Sequence, residues 1–275
     1  MKRSLALILT LLLALLCGCA RPETLRVAMS PDFAPMEFID DSASGQDRFV
    51  GFDVSLAEYL AKGLGMELEI VPMSLQGCQD AVEDGQVDMA ISGFTWLPGR
   101  EARFNLSTPY HSGDSSARQI LLTTTDNLRF YGSAVSLNGC RVGVQTGSLQ
   151  EWLVREQLPG AESVAFESID SGVAMLRSGA VDVLALAEGN ADALIRGDES
   201  LCKTDFCFEL TDAQRDNVIL LPKGEDDLTQ AVNELLTKAA EAGYYEQWYA
   251  EALEQAGVGI EVHYDDDGNI ATEGT

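Results

Sequence analysis

Basic residues are scarce in this chain of 275 residues: 18 Lys and Arg stand against 44 Asp and Glu, which gives a formal net charge of −26 at pH 7. A surface this acidic repels phosphate backbones and anionic lipid headgroups, so nucleic acid is excluded as a partner. The acidic residues are dispersed along the sequence, and most of them are expected to form an ordinary solvated surface.

Histidine is nearly absent, and the patterns of common catalytic sites are missing. The two histidines, His111 and His263, cannot form a zinc site by themselves. The sequence contains no nucleophile elbow, no metal-ligand spacing and no phosphate-binding glycine loop. We therefore expect no metal, no cofactor and no covalent chemistry.

Long hydrophobic runs are also missing, with one exception near the N-terminus. Residues 5–16 are apolar apart from Thr10, and they follow Lys2 and Arg3. A run that crosses a bilayer needs about 20 apolar residues, so this one is too short, and its length and charge are typical of a signal peptide.

The apolar run ends in Leu-Cys-Gly-Cys at 16–19, which resembles the bacterial lipobox, where cleavage precedes a cysteine that receives diacylglycerol. The resemblance implies a signal peptide at 1–18, a lipidated Cys19 as the first mature residue, and a short tether at 19–23. The alternative is a secretory signal cleaved after Ala20. Both place the mature chain outside the cytoplasm, and the lipid would anchor it at the outer face of the cytoplasmic membrane.

Four cysteines follow this segment. Cys202 and Cys207 lie close together among polar residues, and in an oxidising compartment we expect a disulfide between them. The short loop that it closes limits its stabilisation to about 2 kcal/mol. Cys78 lies in an apolar helical pattern and Cys140 begins a predicted strand, so both are expected to be free thiols.

Predicted strands and helices alternate in two successive groups, as in parallel α/β folds. The first group has strands at 25–29, 67–71 and 87–92, with a helix that follows Gly51-Phe52 and stops at Gly65 and a short helix at 77–84. The second has strands at 141–146, 163–166 and 181–185 with helices from 148, at 171–176 and at 187–196. Strand-like links at 118–124 and 218–222, followed by helices at 226–242 and 244–256, suggest two lobes joined by a double hinge.

Four motifs occur in a fixed order: MSPDFAPMEF at 29–38, VGFDV at 50–54, DMAISGFTWLPGR at 88–100 with FNLSTPY at 104–110, and VGVQTGS at 142–148. In this order and spacing they resemble the polar-amino-acid branch of the bacterial extracellular solute-binding proteins, over about 25–256.

The resemblance implies an α/β fold of the type II periplasmic-binding class. Two lobes, each a mostly parallel sheet with flanking helices, would be joined by two hinge crossings and close on a solute by a hinge motion. Lobe 1 would comprise 24–113 and 218–256, lobe 2 would comprise 114–217, and 257–275 would be a polar C-terminal tail.

Arg100 matches the family arginine that binds the ligand carboxylate. A guanidinium suits this role because its fork donates two parallel hydrogen bonds to one carboxylate. It would lie at the start of a helix begun by Thr95 and Pro98, where free N–H groups also favour an anion. The alternative is a surface arginine paired with Glu101 or another acid.

Five further positions match family residues that present polar groups to the ligand. From lobe 1, Ser92, Gly93 and Thr95 would offer backbone and hydroxyl groups, although a strand end followed by a helix cap is an equally ordinary explanation. From lobe 2, Gly147 and Ser148 match a loop whose N–H groups close on the ligand.

The apolar wall of the site would come from Phe33, which matches an aromatic residue that stacks on the ligand side chain, and from Leu75. An aromatic residue in a turn is otherwise more often part of a core. Of Phe94 and Trp96, at least one is expected to be core.

The chain departs from the family pattern at the position of an aspartate that pairs with the ligand ammonium. Ala187 stands there, followed by Glu188, and Ser30 stands where some members carry another aspartate. A buried ammonium without a counter-charge costs about 3–5 kcal/mol. Either Glu188 serves, which we favour, or Asp32 does, or the ligand lacks a free amine; Glu188 could equally compensate a helix N-terminus.

These features predict the substrate-binding component of an ABC importer, a monomer without a cofactor that delivers a small carboxylate solute to permease subunits. The absence of an evident acidic residue for a basic side chain argues against lysine or arginine as the solute. One alternative is an enzyme on the same fold, such as a dehydratase with Glu188 as general acid. The other is a sensory solute-binding module.

Overall fold

The computed structural model describes residues 23–110, 118–131 and 134–257. The predicted signal peptide, Cys19 and residues 258–275 of the predicted tail lie outside the described residues. Over the described ranges, no helix combines the length and apolar character that a bilayer span requires.

Strands and helices alternate along most of the chain. The strands are β1 Thr24–Met29, β2 Phe38–Ile39, β3 Phe49–Val50, β4 Glu67–Pro72, β5 Met89–Ala90, β6 Phe104–Leu106, β7 Gln119–Thr124, β8 Arg141–Gln145, β9 Glu162–Phe166, β10 Val183–Ala187, β11 Leu201–Cys207 and β12 Leu220–Pro222. The helices are α1 Phe52–Leu64, α2 Leu75–Glu83, α3 Arg100–Arg103, α4 Leu149–Gln157, α5 Ile169–Ser178, α6 Glu188–Gly197, α7 Asp226–Glu241 and α8 Tyr244–Gln255.

Lobe 1 is built on a sheet with the strand order β4-β1-β5-β12-β6. Strands β1, β4 and β5 run parallel, and β12 runs antiparallel to its neighbours. Helix α1 forms because Phe52, Leu56 and Leu60 recur at helical spacing and are fully buried. Gly65 ends this helix in the left-handed conformation. Helices α1 and α8 pack together against one face of the sheet, and α2 covers the other.

Lobe 2 is built on a second sheet, with the order β11-β7-β10-β8-β9. Strands β8, β9 and β10 are parallel, and β7 is antiparallel to both β10 and β11. Helices α4, α5 and α6 pack on these strands and enclose two apolar clusters. Each lobe therefore has its own core, and the predicted two-lobe α/β clamp is confirmed. Both sheets are mixed, because each combines parallel and antiparallel pairings.

The two strand-like links are members of the sheets. The link predicted at 118–124 contributes β7 to lobe 2, and the link predicted at 218–222 contributes β12 to lobe 1. The chain passes between the sheets after Tyr110 and again before Val218. Asn217 forms β-bridges with both Tyr110 and Thr95, so the returning segment lies against the end of lobe 1.

The predicted disulfide between Cys202 and Cys207 is absent: both are free cysteines. They lie at the two ends of β11, where Cys202 pairs with Thr123 and Cys207 with Ile120. These partners lie three positions apart on strand β7, about 10 Å, whereas a disulfide needs Cα atoms within about 7 Å. The sequence shows that the two cysteines are close along the chain, but it does not show that the segment between them is an extended strand.

Candidate functional site

The cleft between the lobes lies at the carboxyl ends of the parallel strands of both sheets, where open α/β sheets bind ligands. All of the predicted ligand-binding residues except Glu188 line it: Ser30, Phe33, Leu75, Ser92, Gly93, Thr95, Arg100, Gly147 and Ser148. They come from the ends of β1, β4, β5 and β8, which explains how positions far apart in the sequence meet.

Arg100 is the buried cation of the cleft, with 6% of its surface exposed. Its guanidinium donates to the carbonyl of Thr95 in lobe 1 and, at 2.9 Å, to that of Gly147 in lobe 2. It also lies over the ring of Phe94, 5.3 Å from the centroid. Burial lowers its pKa to about 10, so it is charged at neutral pH.

No carboxylate of the described residues forms an ion pair with Arg100. The alternative of a surface pair with Glu101 is wrong, because Arg100 is buried and Glu101 accepts a hydrogen bond from Trp96 instead. Helix α3 begins directly at Arg100 after Gly99, not at Thr95 or Pro98. Carbonyl partners leave the charge itself uncompensated, so this position is electrostatically suited to an anion.

The hydroxyl groups predicted to contact the ligand are used to fix the loops of lobe 1. Ser92 Oγ accepts from Ser30 N–H at 2.9 Å and donates to Glu37. Thr95 Oγ1 donates to the carbonyl of Asp216 at 3.0 Å, on the segment that returns from lobe 2. These side chains therefore position the wall of the cleft.

Two carboxyl groups that the sequence interpretation did not assign are buried at this wall. Glu37 is 1% exposed and Asp53 fully buried. Asp53 accepts from Gly93 N–H at 2.9 Å and from Tyr110 Oη at 2.9 Å. Burial, followed by the neighbouring Asp53, raises the pKa of Glu37 well above its ordinary value, and burial raises the pKa of Asp53 to about 6.

Gly147 and Ser148 contribute to the cleft differently from the prediction. Gly147 N–H donates to the carboxylate of Glu151 at 2.8 Å, Ser148 N–H donates to the carbonyl of Gln145, and Ser148 Oγ caps α4 by accepting from Glu151 N–H. Gly147 presents its carbonyl to Arg100 and, at 3.2 Å, to Gln79.

The first turn of α4 offers the free N–H groups that the prediction had placed two residues earlier. Leu149 and Gln150 open this helix and line the cleft. First-turn N–H groups have no partner within their own helix. The N-terminal end of α4 therefore faces the same part of the cleft as Arg100 and favours an anion there.

The apolar wall agrees in position with the prediction. Phe33 is half-buried beside Gly93, where an added Cβ would lie 2.9 Å from the Phe33 ring. Leu75, 9% exposed, is part of the core and lines the cleft as well. Phe94 is the core residue of the Phe94 and Trp96 pair, with 2% exposed.

Glu188 does not lie in the cleft, where we expected it to pair with the ligand ammonium. Its carboxylate accepts from Lys203 Nζ at 3.0 Å and lies 3.6 Å from Arg118 Nη1, outside the lining of the cleft. The neighbouring Ala187 and Asn190 do line it. Successive residues at the start of a helix point in different directions, so the acidic side chain that follows Ala187 faces away from the ligand position.

Asp32 supplies the negative charge of the cleft instead. Its carboxylate accepts from Ile169 N–H, the first residue of α5 in lobe 2, at 2.8 Å, and from Ser30 Oγ at 3.0 Å. Gln145 Nε2 lies 3.4 Å away. Burial raises the pKa of Asp32 from its ordinary value. Asp32 follows β1 in lobe 1, so its bond to Ile169 crosses the cleft.

The geometry defines a class of protein. Two α/β lobes enclose a cleft that contains the buried guanidinium of Arg100 and the carboxylate of Asp32, and hydrogen bonds of each of these groups span the lobes. Such an arrangement is that of a two-lobed binding protein for a small charged solute.

Comparisons with known proteins give the family. The model of the bacterial extracellular solute-binding proteins, family 3, matches residues 25–255. The L-cystine-binding protein TcyJ of Escherichia coli (strain K12) is 26% identical over 232 residues, which cover 82% of each chain. The chain belongs to the bacterial extracellular solute-binding proteins, family 3, and the resemblance seen in its motifs is confirmed.

Two solved structures are similar over most of their length. One is the amino acid ABC transporter substrate-binding protein AbpA from Streptococcus pneumoniae bound to L-arginine, with a TM-score of 0.76 and 30% identity, covering 85% of this chain and 95% of that one. The other is the ancestral amino acid-binding protein AncCDT-1, a precursor of cyclohexadienyl dehydratase, with a TM-score of 0.69 and 30% identity, covering 83% and 94%.

Proposed function

We propose that this protein is the substrate-binding component of an ABC importer for an amino acid. The single observation that carries the proposal is the buried Arg100, which lies between the lobes and has no carboxylate partner among the described residues. A ligand α-carboxylate would compensate its charge and accept from the first turn of α4. The lobes would then release the solute to permease subunits by opening at the hinge.

Asp32 is proposed as the partner of the ligand ammonium. It lines the cleft from lobe 1, whereas Ala187 stands at the usual aspartate position and Glu188 is engaged by Lys203. One cation and one carboxylate match the two charges of an α-amino acid. The charge that the family usually places in lobe 2 would here come from lobe 1.

The extracytoplasmic placement follows from the family, and the lipid anchor stays a proposal. Cys19 would carry the lipid and tether a monomeric binding protein to the outer face of the cytoplasmic membrane, beside its permease. Mass spectrometry of the protein purified from its native membrane would show an acylated N-terminal Cys19; an unmodified N-terminus beginning after Ala20 would contradict the anchor.

We propose a binding role without catalysis, although the likeness to a precursor of cyclohexadienyl dehydratase shows a relative on an enzyme lineage. The residue we considered as general acid, Glu188, is paired outside the cleft with Lys203 and Arg118. A general acid must reach the reacting group, and Glu188 does not.

The test is calorimetric titration of L-amino acids into the wild-type protein and into Arg100→Ala. Removing one partner of a buried charge pair costs about 2–5 kcal/mol, so we expect the variant to lose at least about 30-fold in affinity. Arg103→Ala is the matched control, because Arg103 lies on the same helix but pairs with Glu83 at the surface. Equal affinity of wild type and Arg100→Ala would remove the proposal.

A further inference from the structure

Asn190 carries an unpaired hydrogen-bond acceptor on the lobe 2 side of the cleft. Among the described residues, two fully buried side-chain oxygens have no hydrogen-bond partner: Glu37 Oε2 and Asn190 Oδ1. Both residues line the cleft. Asn190 is 4% exposed, and a buried acceptor without a donor costs free energy. A donor on the bound solute would satisfy it.

The fold places this acceptor one strand away from the carboxylate position. Asn190 lies in the first turn of α6, directly after β10, and Gly147 lies after the neighbouring strand β8. Neighbouring strands are about 4.8 Å apart. Ile169, which binds Asp32, follows β9 on the other side of β8. The cleft edge of lobe 2 therefore carries, in order, the Asp32 contact, the Arg100 contact and Asn190.

Of the other carboxamides that line the cleft, Gln119 and Gln214 both have their side-chain oxygens occupied. Gln119 begins β7 and is paired in register with Ala187 at the end of β10. Its Oε1 accepts from Gln150 Nε2 at 2.6 Å. Gln214, on the segment that returns to lobe 1, has its Oε1 occupied by Thr211 N–H and Oγ1, both at 3.0 Å. With the oxygens occupied, the NH₂ groups are the ends that can donate to a solute.

The charges around this region disfavour a cationic side chain, and the unpaired acceptor Asn190 Oδ1 disfavours an anionic one, because a carboxylate has no donor to offer it. Asp32 and Glu37 are the acidic residues that line the cleft among the described residues, and both belong to lobe 1. Glu188, which would be the nearest acid, is engaged by Lys203. The cation that lines this end, Arg215, would repel an ammonium or a guanidinium.

We propose that the cleft contains a subsite for a neutral primary amide, formed by Asn190, Gln119 and Gln214, and that the solute is an uncharged α-amino acid with a carboxamide or ureido side chain. The amide NH₂ of the solute donates to Asn190 Oδ1, and its carbonyl accepts from a glutamine NH₂ group. This inference rests on the proposed function, because it assumes that an α-amino acid occupies the cleft.

The experiment uses two pairs of ligands that differ in side-chain charge at similar shape. L-Glutamine is compared with L-glutamate, and L-citrulline with L-arginine, by calorimetry on the full mature chain. We expect the neutral member of at least one pair to bind at least about 10-fold more tightly than its charged partner. A preference for L-arginine over L-citrulline together with one for L-glutamate over L-glutamine would overturn the inference, as would equal affinities within both pairs.

Two variants test the role of Asn190 directly. Asn190→Asp places a carboxylate at the subsite and should shift selectivity from L-citrulline toward L-arginine by at least about 10-fold, whereas Asn190→Leu should reduce the preference for the neutral member to within about 3-fold. Asn127→Asp, which adds the same charge to lobe 2 outside the cleft lining, should leave selectivity unchanged. Unaltered selectivity in a folded Asn190→Asp protein contradicts the inference. If no α-amino acid binds the wild type, the proposed function itself fails.

Discussion

Arg100 and Asp32 are two groups of opposite charge through which lobe 1 reaches lobe 2. Arg100 donates to Gly147 of lobe 2, and Asp32 accepts from Ile169 of lobe 2. Neither is paired with the other, and both line the same cleft. A zwitterion placed between them would compensate both charges with its carboxylate and ammonium groups.

Asp32→Asn separates the charge of Asp32 from its hydrogen bond to lobe 2. The asparagine oxygen can still accept from Ile169 N–H, but it no longer compensates an ammonium. We expect the affinity for an L-amino acid to fall by at least about 30-fold, while the affinity for the matching amine-free acid stays within about 3-fold. Calorimetry with both ligands measures this difference. Equal losses for both ligands would show that Asp32 acts only in closing the lobes.

At the scale of single residues, the sequence could not predict which of Glu188 and Asp32 faces the ligand position. The sequence predicted that a counter-charge was needed and named both residues, because Ala187 replaced the usual aspartate. It could not show that Lys203, fifteen positions further along the chain, would engage Glu188. The direction of the Glu188 side chain in the first turn of α6 keeps it out of the cleft, and this direction depends on Lys203 in the neighbouring strand β11.

The pair of Glu37 and Asp53 predicts a dependence of stability on pH. Both carboxyl groups have pKa values above their ordinary range in the folded protein, Asp53 to about 6. Folding then favours the protonated forms, so their contribution to stability is present below about pH 4 and is lost as pH rises through about 6 and beyond. Urea unfolding between pH 4.5 and 8 should show the free energy of unfolding falling with pH.

Glu37→Gln tests this pair with a side chain of the same shape that does not titrate. We expect the fall in the free energy of unfolding between pH 4.5 and 8 to be smaller in the variant than in the wild type. Asp41→Asn, at an exposed carboxyl, should retain the wild-type profile. Parallel profiles for wild type and Glu37→Gln would mean that Glu37 does not titrate in this range.

At the scale of elements, the turn between β8 and α4 brings lobe 2 into contact with α2 of lobe 1. Gly147 has φ +79, and an added Cβ would lie 2.3 Å from Gln79 Nε2 and 2.6 Å from Gln76 Oε1. A glycine is therefore required twice, by its own conformation and by the close approach of the other lobe.

Gly147→Ala should lower both the stability of the protein and its affinity. The positive φ affects the folded chain, open or closed, whereas the contact with Gln76 and Gln79 exists only when the lobes meet. Overpacking costs about 1–3 kcal/mol, so affinity should fall by about 10-fold. Gly139→Ala is the matched control: Gly139 has φ +78 and open space around its Cβ position. It should lower the melting temperature and leave calorimetric affinity unchanged; an equal affinity loss in both variants would refute the contact.

The sequence predicted the order of the main helices and strands well, because they depend on local periodicity. Helix α1 was predicted to follow Gly51-Phe52 and to stop at Gly65, and it is observed at Phe52–Leu64. Features that depend on contacts between residues far apart in the sequence could not be predicted. The extended conformation of β11, which separates Cys202 from Cys207, arises from pairing with β7. The amide cluster also escaped prediction, because Gln119, Asn190 and Gln214 belong to three separate segments.

At the scale of the whole molecule, the contacts between the lobes converge on the cleft. Three hydrogen bonds join lobe 1 to lobe 2 around the proposed ligand position: Arg100 to Gly147, Gln79 to Gly147, and Ile169 to Asp32. A solute that contacts both lobes stabilises the closed arrangement by its differential affinity for it. Binding energy and closure are therefore expected to depend on the same small set of groups, with Arg100 central among them.

The most direct measurement of the role of Arg100 is a thermodynamic cycle between its guanidinium and the ligand α-carboxylate. The amino acid that binds most tightly and its α-carboxamide are each titrated into the wild type and into Arg100→Ala. If the guanidinium binds the carboxylate between the lobes, the coupling free energy is at least about 2 kcal/mol. A coupling free energy near zero, with the wild type binding both ligands equally, would contradict it.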